Sequence, residues 1–476
     1  MWLAGGPLLF MVLSAFSPAP SREAGQVMGL AAWMAVWWVS EPVPLAATSL
    51  LPAGLLPALG VTSARDAVAP YANELVFLFL GGFLLAAALE RWNAHSRIAY
   101  ALIAAIGLST RRIVLGVMVA TAFISMWISN TATAAMMYPI VLAMAPMFGE
   151  GSDGRRVRTA LMLGMAYAAS IGGMGTLLGT PPNLILAGTA LELAGTDVSF
   201  VAFLAFGLPL VAILLPACWA LLVFVLFPSR AALDPAAGRL LAERRASLGR
   251  LRGGELATVA VFGATALAWV ARERKAFGGV SLPGLVDIAP RLTDATIGII
   301  GALLLFVLRG RSDNGGTTPL LTWDEARRIP WDVLLLFGGG LSLAAAMESS
   351  GLAAWLGGWL TGLGSLPPLA IYLGLAFVVL LLSEIASNTA VATMVMPIVA
   401  TLATAIGQPP LLLMLIAALA ASTGFALPVA TPPNTIVFGS GQVGVRDMAR
   451  AGILLDIIAV GAVVLVAALV YPLVFA

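Results

Sequence analysis

The run SNTATAAMMYPI from Ser129 to Ile140 returns as SNTAVATMVMPI from Ser387 to Ile398, and each copy interrupts a long apolar stretch. Hydroxyls, amides and broken backbone are costly in an apolar environment unless something satisfies them. Two further features repeat in the same order. FLGG at 79–82 returns as FGGG at 337–340, with the same shift of 258 that carries Ser129 onto Ser387, and TPPN at 180–183 returns at 431–434, a shift of 251. Three ordered matches mean a duplicated chain, so the fold is built from two related halves.

Composition says which environment the halves occupy. Of 476 residues, 60% are hydrophobic and 10% charged, and the mean hydropathy is +1.00, which places the chain among polytopic membrane proteins. The 50 glycines and 29 prolines would break many soluble helices but are tolerated in transmembrane ones. The single cysteine, Cys218, lies in an apolar run; it excludes a disulfide framework and reads as an inert buried or lipid-facing thiol. No Walker motif surrounds the only lysine, Lys275, and no HExxH, GxSxG or paired-aspartate protease motif occurs. An ATP-driven pump and an intramembrane enzyme are thereby set aside, and nothing points to nucleic acid.

Apolar length predicts an all-α protein with about 11 transmembrane helices plus two re-entrant helical hairpins, at 113–148 and 366–405. Residues 1–25 hold a first, uncleaved span and loop. Residues 26–228 form one repeat and 256–476 the other, joined by a basic linker at 229–255 that reads as a cytoplasmic, surface-lying segment. The first hairpin follows from charge: Arg111-Arg112 precede it and Arg155, Arg156 and Arg158 follow, so both its ends lie on one side. Five spans per unit invert the second repeat relative to the first, and inverted repeats with broken helices are the pattern of secondary transporters. With the N-terminus inside and the C-terminus outside, 19 of the 25 Lys and Arg fall in cytoplasmic loops, as the positive-inside rule asks.

The two hairpin tips and the two TPPN breaks would meet at mid-membrane, where free amides at helix ends suit an anion and free carbonyls suit a small cation. Ser125 and Ser383 each lie four residues before a triplet, a spacing that puts Ser125 with Ser129, and Ser383 with Ser387, on one helix face. Those hydroxyls, the Asn130 and Asn388 oxygens and carbonyls from Gly179 or Ala430 make a neutral oxygen cage, which favours sodium over a divalent ion. Glu384 is the only acid within either hairpin and reads either as a proton or cation group or as a hydrogen-bond anchor. Glu41, Glu74 and His95 read as interfacial. A channel is the remote alternative, since oppositely facing hairpins suit alternating access better than a continuous pore.

Trp37-Trp38-x-x-Glu41-Pro42-Val43-Pro44, the two SNT triplets and both TPPN breaks resemble the divalent anion:sodium symporter family from about Trp33 to the C-terminus. The resemblance implies sodium-coupled symport of C4-dicarboxylates such as succinate, malate or fumarate. Its alternatives are sulfate or citrate symport and sodium-independent exchange. It also implies a homodimer in the lipid of a bacterial cytoplasmic membrane, working as an elevator. By motif position, one sodium site uses Ser125, Ser129, Asn130 and the Gly179 carbonyl, and the other Ser383, Asn388 and the carbonyls of Ala386 and Ala430. Substrate carboxylates meet Asn130, Thr131, Asn388, Thr389, Thr431 and Pro432. No Arg or Lys falls inside the four broken segments, so the dianion would depend on hydroxyls, amides, helix ends and the bound cations.

Overall fold

The computed structural model describes residues 2–107, 109–149, 151–229, 253–277, 280–311 and 316–475, with 243, 246 and 248–251 besides. Most of the basic linker expected at 229–255 lies outside the described residues. Among the described residues eight helices are long and apolar enough to cross a membrane, and shorter apolar helices accompany them. The chain is an all-α membrane protein; its β-structure among the described residues is two short antiparallel ribbons, Lys275–Phe277 with Val280–Leu282 and Arg309–Arg311 with Thr317–Pro319.

Both hairpins form. The first has arms Thr110–Ser125 and Asn130–Met144, the second Pro368–Ile385 and Asn388–Ala405. Both broken helices form too: Ser152–Gly173 resumes as Pro181–Ala194, and Pro410–Ala421 resumes as Pro432–Gly439. Each restarts at a Pro-Pro pair, because proline suits the first helical positions, where an amide has no partner in the helix. Packing crosses between the halves. Pro181–Ala194 lies against the second hairpin's arm Asn388–Ala405, and Pro432–Gly439 lies against the first hairpin's arm Asn130–Met144.

The FLGG and FGGG repeats mark close helix crossings. Helix Glu74–Arg91 packs on Asp294–Val307 at Gly81, where a Cβ would stand 2.6 Å from the Gly298 carbonyl carbon. In helix Trp331–Ser349, a Cβ on Gly338 would fall on Tyr71 and one on Gly339 on Ser49. Small residues give the close backbone approach on which helix association in lipid depends.

Three local readings change. The stretch 44–60 is a helix interrupted at Ser49-Leu50, Leu45–Thr48 followed by Leu51–Ala58, rather than one continuous helix. The segment before Arg111 contains a helix of its own, Ala94–Ile106, and His95 in its first turn is buried rather than set in the interface. Ser125 and Ser129 do not share a helix face, because the first arm ends at Ser125 and Ser129 caps the second. In the second hairpin the arm likewise ends at Ile385, before Ser387. A turn separates the two serines of each pair, and Ser125 and Ser383 instead meet Asn130 and Asn388.

Candidate ion and substrate site

At the first tip, Ser125 is fully buried and its Oγ lies 2.7 Å from Asn130 Oδ1 and 2.6 Å from the Ala169 carbonyl. At the second tip, Ser383 is fully buried and its Oγ lies 2.6 Å from Asn388 Oδ1 and 2.5 Å from the Ala421 carbonyl. One nest is laid out like the other, atom for atom. In each, a hydroxyl with one proton faces two acceptor oxygens, so it satisfies only one of them. The Asn130 amide resolves the conflict when turned over: its nitrogen then donates to Ser125 Oγ (2.7 Å), the Ala169 carbonyl (2.9 Å) and the Gly179 carbonyl (3.3 Å). With its oxygen inward, the same oxygens instead converge on a point that a small cation satisfies.

The breaks are held alike as well. Asn183 Nδ2 donates to the carbonyls of Gly173 (3.0 Å) and Thr176 (2.7 Å), while Asn434 Nδ2 reaches those of Gly424 (3.5 Å) and Leu427 (3.0 Å). The shift is the TPPN shift of 251. Each TPPN asparagine thus ties the carbonyls freed by its break, which accounts for the position of Asn in the motif.

Both tips and both breaks open on one cavity of about 1420 Å³. Of the expected site residues, Ser129, Asn130, Thr131, Gly179, Ala386, Asn388, Thr389, Ala430, Thr431 and Pro432 line it. Ser125 and Ser383 lie behind the tips. Ser387 and Thr180 line it too; although both belong to the motifs, neither was among the expected ligands. Four helices start on this cavity, at Asn130, Asn388, Pro181 and Pro432, and their positive ends favour an anion. The Pro-Pro pairs remove the first amide donors of two of them. Direct amide donors therefore come from the hairpin arms, with hydroxyls from Thr131, Thr389 and Thr431 beside them.

The carbonyls of Ala169 and Ala421 were not anticipated, since a backbone oxygen leaves no trace in side-chain pattern; the serine hydroxyl that each faces pairs them, at a shift one residue off that of TPPN. The charged residues lining the cavity were missed as well. They are Glu41, Glu90, Arg91, Glu325, Arg328 and Asp332, and Arg91 is paired with Glu325 at 2.7 Å. Among the described residues no three His, Cys, Asp or Glu side chains gather as a metal cluster.

A family model described as the sodium:sulfate symporter transmembrane region matches residues 2–476. The chain belongs to the sodium:sulfate symporter family. Membership makes it a transporter and not an enzyme, in agreement with the motif resemblance. Similar proteins include two described as the sodium-dependent dicarboxylate transporter SdcS. That of Staphylococcus saprophyticus is 40% identical over 476 residues, with 98% of this chain and 90% of the relative covered. That of Staphylococcus aureus is 40% identical over 478 residues with the same coverage. Among solved structures, the Alcanivorax borkumensis YdaH transporter superposes with a TM-score of 0.59 at 16% identity, covering 93% of this chain and 98% of that one. Neisseria gonorrhoeae MtrF gives 0.57 at 14%, covering 98% and 97%. At these identities the likeness is one of fold.

Proposed function

We propose that this symporter-family member couples sodium entry to uptake of a C4-dicarboxylate such as succinate, malate or fumarate across a bacterial cytoplasmic membrane. The observation that carries the reading is the pair of matching oxygen nests, built at the tips of two hairpins and facing one cavity. In it, Ser125, Ser129, Asn130 and the Gly179 carbonyl hold one sodium ion. Ser383, Asn388 and the carbonyls of Ala386 and Ala430 hold another. The dianion lies between the tips against Asn130, Thr131, Asn388, Thr389, Thr431 and Pro432. The names of the staphylococcal relatives support both sodium and the dicarboxylate.

With so few cationic groups at the tips, bound sodium supplies most of the positive charge the dianion meets, and this couples the two. With the N-terminus inside and the C-terminus outside, Glu41, Glu90, Glu325 and Asp332 belong to cytoplasmic ends, so the cavity faces the cytoplasm. An elevator movement of the hairpins and broken helices within a homodimer would carry it to the other face. If more than two sodium ions accompany each dianion, every net charge moved is worth about 2.3 kcal/mol per 100 mV.

The test is uptake of labelled succinate into proteoliposomes with and without an inward sodium gradient. Uptake indifferent to sodium sinks symport. The family's description favours sulfate as the second reading, and competition by unlabelled sulfate, citrate and fumarate decides among them. Stimulation by internal succinate without sodium would instead mark an exchanger.

A further inference from the structure

The two halves differ at one place that the sodium and dicarboxylate chemistry does not use. A broken helix inside a membrane leaves backbone amides with no water to bind, so each needs an acceptor from the protein. In the first half the helix supplies its own: Met174 N donates to the Ile171 carbonyl (3.2 Å) and Gly175 N to that of Gly172 (2.9 Å). In the second half the helix ends at Ala421, three residues short of Gly424, which is the repeat position of Gly173. The amides matching Met174, Gly175 and Thr176 are those of Phe425, Ala426 and Leu427, and carboxylates from two other helices take them. Phe425 N donates to Asp456 Oδ1 (3.2 Å), Ala426 N to Glu384 Oε1 (2.9 Å) and Leu427 N to Glu384 Oε2 (3.0 Å).

Both acids are more than nine-tenths buried. Glu384 stands on the second hairpin's arm Pro368–Ile385, directly after Ser383, and Asp456 on the last helix, Val445–Val474. On the TPPN side of the repeat, the counterparts of Asp456 at shifts of 252 and 251 are Leu204 and Ala205; the counterpart of Glu384 is Met126. The Met126 carbonyl receives the Thr176 hydroxyl, so a backbone oxygen stands where the second half has a carboxyl group. On its other side Phe425 is held by Tyr167, ring to ring at 5.3 Å.

We infer that Glu384 and Asp456 are positioning residues that clamp the unwound segment 422–431 and thereby set the Ala430 carbonyl and Thr431 at the second tip. The first tip has no such dependence. The clamp ties the hairpin to the last helix through that segment, so the geometry of the second nest follows one helix beyond its own, Val445–Val474. This inference rests on the proposed second sodium site for its functional consequence, but the clamp itself is testable without it.

Glu384→Gln turns one acceptor into a donor that faces an amide, and Asp456→Asn weakens the bond to Phe425 N. Hydrogen–deuterium exchange of the purified protein reads the clamp directly: both variants should exchange faster across 422–431, with 174–180 unchanged. Sodium-induced thermal stabilisation without substrate reads the consequence. Its half-maximal sodium concentration should rise roughly tenfold, the upper worth of one ordinary hydrogen bond, and its Hill coefficient should fall. Unchanged exchange across 422–431 in both variants overturns the clamp whether or not wild-type uptake needs sodium. Faster exchange with wild-type sodium dependence overturns its role at the second tip. If Glu384→Gln fails to fold, Asp456→Asn, which leaves both Glu384 bonds in place, is judged by the same two measurements.

Discussion

A single methyl separates the two nests sharply. A Cβ at Gly173 would stand 3.0 Å from Asn130 Cγ and Nδ2 and closer still to Oδ1, so Gly173→Ala cannot form without displacing the amide at the centre of the first nest. At the repeat position, a Cβ on Gly424 would meet Ala430 Cβ at 3.2 Å and the Ser383 carbonyl oxygen at 3.3 Å, distances that neighbours relieve by a few tenths of an ångström. Overpacking of the Gly173 kind costs about 1–3 kcal/mol. Applied to the bound ion, that is roughly a 5- to 150-fold rise in the sodium concentration for half-maximal uptake. Gly424→Ala should move it by less than about threefold, since relief of a few tenths of an ångström falls well below full overpacking. The assay is sodium-dependent succinate uptake into proteoliposomes at fixed substrate, with the unfolding midpoint as a check on folding. Wild-type sodium dependence in Gly173→Ala, or a larger effect from Gly424→Ala, would refute the reasoning.

Three other outcomes are expected. Asn130→Ala and Asn388→Ala should each abolish sodium-dependent uptake while the purified protein keeps its unfolding midpoint; retained uptake in either would make the tips structural only. Gly81→Ala, which forces a methyl onto the Gly298 backbone, should lower stability by about 1–3 kcal/mol, while Gly263→Ala, with open space around it, should melt like wild type. A cysteine at Asp332 should react with a membrane-impermeant maleimide from the cytoplasmic face alone, the native Cys218 being silent because it is fully buried. Labelling from outside would reverse the assigned orientation.

The hairpins, the breaks and the duplication were all legible in the sequence, because polar and proline-rich interruptions of apolar runs have few physical explanations. Ten of the residues that the motifs and the family resemblance pointed to do line the cavity. What escaped is what three-dimensional proximity alone reveals. The Ala169 and Ala421 carbonyls complete the nests through backbone atoms, and the lining charges come from segments far apart in the chain. The four-residue spacing of Ser125 and Ser129 suggested a helix face where the chain makes a turn, since a serine ending one helix and a serine starting the next look alike in a sequence. Asp456 is different: an acid alone in the apolar run from Ile453 to the C-terminus was visible, and intramembrane acids call for a partner. Only its meeting with Phe425 required coordinates.

Ser125 and Ser383 lie fully buried behind the tips, while Thr131, Thr389 and Thr431 stand in front, on the cavity wall. The proposed carboxylate contacts therefore lie between the cavity and the two buried serines. On the proposed assignment, an ion held at those serines would arrive before the carboxylate and leave after it. The proposed site would then work as a queue with one door, in which the last to enter is the first to go and depth sets the order.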